Sequence, residues 1–101
     1  MKRKPASISH DKALIEELRA SPELAAEYLR AAMDETDEPK ALLIALRHVA
    51  EARGGIARVA KKASVERESL YRALSPRGNP RLSTLMAVAK AVGLKLTLEA
   101  A

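Results

Sequence analysis

Cysteine is absent from the 101 residues, and so are phenylalanine and tryptophan. Without cysteine the chain has no disulfide and no thiolate metal site. That suits a reducing compartment, so a cytoplasmic protein is expected. With only two tyrosines in place of larger aromatics, the core must be packed from Leu, Val, Ile, Ala and Met. No apolar run approaches the ~18 residues that suggest a membrane span. The basic start MKRKPASIS lacks the apolar stretch of a secretory signal. The two histidines stand apart from each other, no Gly-rich phosphate loop is present, and no nucleophile has a base at a useful spacing. An enzyme is therefore not expected, nor a metal or any other cofactor.

Apolar residues make up 48% of the chain, so one compact domain of this length can build a core. The net charge of +5 inclines such a domain toward an anionic partner, nucleic acid being the commonest. The composition favours helix, since Ala and Leu alternate with Glu, Lys and Arg.

Residues 1–10 are polar, basic and hold a proline; they are expected to be a flexible arm, with a single helical domain over 11–101. Leu14, Ile15 and Leu18 share one face of a short amphipathic helix over Asp11–Ala20. Ser21-Pro22-Glu23 restarts the chain with an N-cap, a first-turn proline and an acid near the positive helix end. From there Leu24, Ala25, Tyr28, Leu29 and Ala32 make an apolar stripe as far as Met33. The acidic cluster Asp34, Glu35, Asp37 and Glu38 around Thr36 reads as a solvated linker in which Asp37 caps the next helix. That helix runs over Glu38–Arg53 with Leu42, Leu43, Leu46, Val49 and Ala50 inward and His48 outside the stripe. Gly54-Gly55 ends it by supplying a left-handed cap. A last helix, capped by Ser83 and running to Val92, turns Leu85, Val88, Ala89 and Val92 inward before Gly93 stops it. Leu94–Glu99 alternates Leu with polar residues, the period of a strand, and a strand alone in a helical chain wants a partner from a second copy.

The segment between Gly55 and Pro76, IARVAKKASVERESLYRALS (56–75), fits a helix-turn-helix. Ile56, Val59, Ala60, Ala63, Val65, Leu70 and Ala73 fall at the positions where two short helices joined by a tight turn must be apolar. Ala60 must also be small, because the second helix crosses there. The turn position that favours glycine is Ser64, a departure that costs roughly 1 kcal/mol. The second helix is expected to start near Glu66, which caps it, and to turn Leu70, Ala73 and Leu74 inward. Outside remain Arg67, Glu68, Ser69, Tyr71 and Arg72. In the major groove Arg67 can pair with guanine and Glu68 can accept from the cytosine amino group, while Ser69 and Arg72 can reach bases or phosphates. Arg58, Lys61 and Lys62 before the turn, and Arg77 and Asn79 after it, are placed for the phosphate backbone.

Four stretches, EYLRAAM, ALRHVAEARGG, RESLYRALSPRGNPRLSTL and VGLKLTL, resemble the probable addiction-module antidote proteins, antitoxins with a lambda-repressor-like helix-turn-helix. The resemblance covers Ser21–Glu99. At the turn, where family members often carry Gly then Leu-Ser or Leu-Gly, this chain has Ser64, Val65 and Glu66. The resemblance implies an all-α, five-helix lambda-repressor-like helix-turn-helix domain with extra N-terminal helices, to which the alternation at 94–99 adds a short C-terminal strand. It implies an antitoxin of a type II toxin-antitoxin system that neutralises a RelE-like toxin and, as a homodimer, represses its own operon by binding an inverted-repeat operator in double-stranded DNA. The extra N-terminal helices are the natural addition for binding the toxin, and the acidic segment 34–38 could face a basic one. The alternative is a stand-alone transcription regulator of the same fold with no toxin partner. A third reading is a protein-interaction module that has lost its DNA affinity.

Overall fold

The computed structural model describes residues 6–35 and 37–101, with side chains from residue 12 onward. Among the described residues there are six helices: α1 (Ala6–Ala20), α2 (Pro22–Asp34), α3 (Pro39–Ala52), α4 (Ile56–Ala63), α5 (Arg67–Ala73) and α6 (Leu82–Ala91). The basic arm expected over 1–10 lies, for residues 1–5, outside the described residues, and from Ala6 the backbone is helical.

The helix boundaries follow from local chemistry. At the start of α2 the Ser21 hydroxyl accepts from the Leu24 amide at 3.1 Å, and Pro22 opens the first turn, where a missing N–H costs nothing. The start of α3 differs from expectation: Glu38, not Asp37, is the cap residue, and it makes no side-chain cap bond. Pro39 is the cause, because the residue before a proline is driven into extended backbone, here φ −83° and ψ 119°. At α6 the helix begins at Leu82 with extended Arg81 at the cap position, and Ser83 lies inside the helix instead of capping it.

Three helices stop in the same way. Gly55 N–H bonds Ala50 O beyond α3, Val65 N–H bonds Ala60 O beyond α4, and Leu94 N–H bonds Ala89 O beyond α6. In each case the preceding residue has positive φ: Gly54 at 120°, Ser64 at 59° and Gly93 at 86°. This is the Schellman arrangement, which satisfies carbonyls that the last helical turn leaves open.

In the first trio, α1 and α2 pack on each other and both pack on α3. In the second, α4 packs on both α5 and α6, and α3 joins the trios by packing on α4. One continuous cluster runs through them, including Leu18, Ala25, Leu43, Leu46, Val49, Val59, Leu70, Leu74, Val88 and Val92. No aromatic side chain lies in its fully buried part; Tyr28 packs at its edge. Of the inward residues expected on α3, Leu42 is only half-buried and the rest are buried. Met33, at the end of the α2 stripe, is exposed.

Two expectations are corrected. Four helices, α3 to α6, follow the two N-terminal ones, so the five-helix core with additions is replaced by six helices among the described residues. The stretch that could have carried a further helix, 94–101, follows the Gly93 stop and alternates Leu with polar residues, a pattern that puts no continuous stripe on a helix. Nor is that stretch a strand: among the described residues none has strand structure. A strand exists by its ladder of hydrogen bonds to a neighbour, and this chain offers no neighbour there. Leu94 packs on the core edge, whereas Leu96 and Leu98 are exposed, Leu98 fully so.

Candidate nucleic-acid interface

The site is assembled around the three residues between α4 and α5. Val59 and Leu70, both 0% exposed, lock the two helices onto the core, and Ala60, 2% exposed, sits on the same buried side of α4. Ile56, Ala63 and Val65 pack half-buried against that cluster. Ser64, with φ 59° and ψ 42°, takes the left-handed conformation that the turn position demands. The turn is thus made by the same cap that ends the two glycine-stopped helices, with a serine in the glycine's place.

Glu66 stands at the cap position of α5 but does not cap it through its side chain. Its carboxylate instead accepts from the Ser69 hydroxyl at 2.9 Å, which ties Ser69 to the start of its own helix. Arg67, Glu68, Tyr71 and Arg72 are exposed along α5, and Ser69 is half-buried. Arg58, Lys61 and Lys62 are exposed on α4. Gly54 allows the stem of Arg58 to lie close to the end of α3, since a Cβ there would come within 2.5 Å of the Arg58 Cδ. Beyond α5, the Ser75 hydroxyl donates to Arg72 O at 2.8 Å, and the Gly78 amide donates to Ser75 O at 2.8 Å. Gly78 sits so tightly on the end of α5 that any Cβ would run into the Ala73 carbonyl. This close approach holds exposed Arg77 and Asn79 beside the helix.

Electrostatically the face is open. Among the described residues, Arg58, Lys61, Lys62, Arg67, Arg72 and Arg77 make no ion pair with a carboxylate. Lys62 departs from its neighbours: it borders a cleft together with Arg53 and Lys90.

Two contacts lay beyond sequence reasoning. The Arg47 guanidinium of α3 stacks 4.3 Å from the Tyr71 ring centroid, while its Nε lies 3.8 Å from the Glu51 carboxylate. Such a stack is worth about 0.5–1 kcal/mol at an exposed site, and Tyr71 is 51% exposed. Arg47 therefore braces α5 from the first trio. The spacing Arg47–Glu51 was visible as an i,i+4 pair, but nothing in the sequence aimed it at Tyr71. The second contact joins Tyr28 of α2 to His48 of α3, with hydroxyl and Nδ1 2.7 Å apart. His48, expected to lie outside the apolar stripe of its helix, is half-buried and makes this bond. Among the described residues, no cluster of three or more His, Cys, Asp or Glu could hold a metal ion. No helix there is long and apolar enough to cross a membrane.

The family model described as probable addiction module antidote protein matches residues 11–100. The chain belongs to this family. A Haemophilus influenzae protein, described only as an uncharacterized protein, is 39% identical over 72 residues, which cover 71% of this chain and 72% of the relative. No solved structure matches significantly. Membership in an antidote family implies an antitoxin role in a toxin-antitoxin module, and with it a toxin partner. The matched span takes in α1 from residue 11 and all of α2 to α6, so it includes the two-helix unit described above and most of the first trio.

Proposed function

We propose that this antidote is a DNA-binding autorepressor as well as a toxin antagonist. α4 and α5 act as a helix-turn-helix within a single domain, and α5 enters the major groove. The observation that carries the reading is the division of α4–α5 into two sides. Val59, Ala60 and Leu70 are buried in the core, and the five cations of α4 and α5, with Arg77 just beyond α5, stand outside without carboxylate partners among the described residues. A face of that kind is attracted to a phosphate backbone and is free to release counterions on meeting it. Arg67, Glu68, Ser69 and Arg72 are the candidates for base edges, and Arg58, Lys61, Lys62, Arg77 and Asn79 for phosphates. Tyr71, braced by Arg47, contributes a rigid edge beside Arg72. No catalytic role is assigned, and no cofactor.

In this reading the protein works as a homodimer, because one short α5 reads few bases and a pair reads two half-sites about one helical turn apart. The exposed Leu96 and Leu98 form the segment that a second copy would cover. The toxin, of the RelE-like kind, is bound by the first trio, and the exposed acids Asp34, Glu35, Asp37 and Glu38 offer complementary charge to a basic one.

A gel-shift titration of the full chain against its own upstream DNA, with a scrambled duplex as control, tests the DNA half. Selective retardation at physiological salt, weakening steeply as salt rises, is the expected outcome. Equal or absent retardation of both duplexes, with the toxin present as well as absent, refutes it.

A further inference from the structure

The cations that face away from any carboxylate are not confined to α4 and α5. Arg53 just beyond α3, Lys62 on α4 and Lys90 at the end of α6 line one cleft together with Gly93. These residues are far apart in sequence, so only the fold gathers them. No acidic residue lines the cleft. Among the described residues none of the three makes an ion pair. Arg19 adds a fourth cation at the edge: its Nε donates to Ala52 O at 3.4 Å, and Arg53 Nη1 reaches Arg19 O at 3.5 Å.

Part of this charge answers the helices that end here. The carbonyl ends of α3 and α6 each carry the equivalent of roughly half a negative charge. Two such ends offset about one of the four unit charges, and the remainder is uncompensated. The cleft is about 290 Å³ in volume, at or below the lower limit of pockets that hold extended organic ligands. Its polar side chains are Arg53, Lys62 and Lys90, and Ala52, Ala91, Val92 and Gly93 make up the rest of the lining. A phosphate or pyrophosphate group, with its negative charge spread over several oxygens, fits this description, since it can accept from a guanidinium and two ammonium groups at once.

We propose that the Arg53–Lys62–Lys90 cleft is a phosphate-binding site, separate from the α5 face. The phosphate can come from the backbone of bound DNA or from a free phosphorylated ligand. The first source rests on the DNA-binding reading; the second does not. Lys62 and Lys90 are the residues to change, because both are exposed and neither makes a hydrogen bond within the fold, whereas Arg53 also holds a backbone carbonyl.

The test uses the full chain with Lys62→Gln and Lys90→Gln combined, alongside Lys61→Gln as a neighbouring control and the Lys62→Arg, Lys90→Arg pair to restore charge. Amide spectra are recorded during titration with inorganic pyrophosphate at constant ionic strength. Saturable shifts at Arg53, Lys62 and Gly93 are expected, weakened at least tenfold in the double Gln variant but not in Lys61→Gln, and recovered in the Arg pair. In parallel, the salt dependence of DNA binding is measured. If backbone phosphates fill the cleft, Lys90→Gln alone lowers the slope of log K against log salt by up to about one, in addition to the loss that Lys62→Gln brings as an α4 phosphate contact. Pyrophosphate binding with an unaltered slope in Lys90→Gln assigns the cleft to a free ligand. If the protein binds no DNA at all, the pyrophosphate titration still decides. No saturable shift together with an unaltered slope, or shifts that survive the double substitution, overturns the proposal.

Discussion

Replacing Ser64 with glycine isolates the one position where this turn departs from the residue its backbone demands. Ser64 holds φ 59° and ψ 42°, a conformation that costs an L-residue roughly 1–2 kcal/mol and glycine nothing. Its side chain is exposed and its hydroxyl makes no hydrogen bond, so removing it takes away no contact. Against the relief stands the greater freedom of glycine in the unfolded chain, worth about 0.4–1 kcal/mol. The relief wins by about 0.5 kcal/mol. For a domain of this size 1 kcal/mol moves the melting temperature by about 4–8 °C, so Ser64→Gly should melt about 2–4 °C higher. Ser64→Val should melt several degrees lower, because a β-branched side chain is the worst fit to left-handed backbone. Thermal unfolding followed by far-ultraviolet circular dichroism gives both values, and the helical signal at low temperature should be the same in all three proteins. A glycine variant that melts below the parent by more than a degree or two would refute the reasoning: either the turn is not left-handed, or the Ser64 hydroxyl has a partner that repays its strain.

Other substitutions probe different parts of the argument. Leu70→Ala, at a fully buried position between α5 and the core, should cost about 2–5 kcal/mol in urea unfolding, a large share of the roughly 5–15 kcal/mol typical of a domain; a loss under 1 kcal/mol would mean that α5 is not anchored through it. Gly78→Ala forces a methyl group into the Ala73 carbonyl and should lower stability by about 1–3 kcal/mol, with amide shifts concentrated at Arg72–Asn79; a neutral result would show that the loop does not lie against α5. Arg67→Ala should weaken binding to the specific duplex more than to the scrambled one, and Lys61→Ala should weaken both alike and flatten the salt slope by about one; identical behaviour of the two variants would remove Arg67 from the base-reading set. Deleting residues 95–101 leaves the Leu94 cap bond of α6 intact and should convert a dimer to a monomer in light scattering; a truncated dimer would move the interface to a helix face.

Much of the helical layout was legible because this chain punctuates itself. Ser21-Pro22 and Gly54-Gly55 carry one-to-one chemical reasons for starting and stopping a helix, and the structure uses both as expected. The burial of Val59, Ala60 and Leu70 followed from spacing alone. Caps were harder where several residues competed. Asp37 and Ser83 are good cap formers by type, yet Pro39 drove Glu38 into extended backbone and left the cap there, and at α6 the cap fell to extended Arg81. Side-chain contacts between helices were not legible at all. Arg47 over Tyr71, His48 on Tyr28, and the meeting of Arg53, Lys62 and Lys90 each need the crossing of helices, which local pattern does not encode. At 94–99 the alternation was real, but alternation records only which side chains share a face. Whether a ladder forms depends on a neighbour, and the single chain has none there.

The order in which the helices pack has a consequence for time. Every substantial pairing joins helices that are adjacent or next but one along the chain: α1 with α2 and α3, α2 with α3, α3 with α4, and α4 with α5 and α6. Such contacts close short loops, and domains dominated by them fold within microseconds to milliseconds. The two trios can form in sequence, each from consecutive chain, with α3 against α4 as the last join. Temperature-jump relaxation should therefore be fast. A molecule opened momentarily at that join closes again on the same clock, so the two trios spend little time apart.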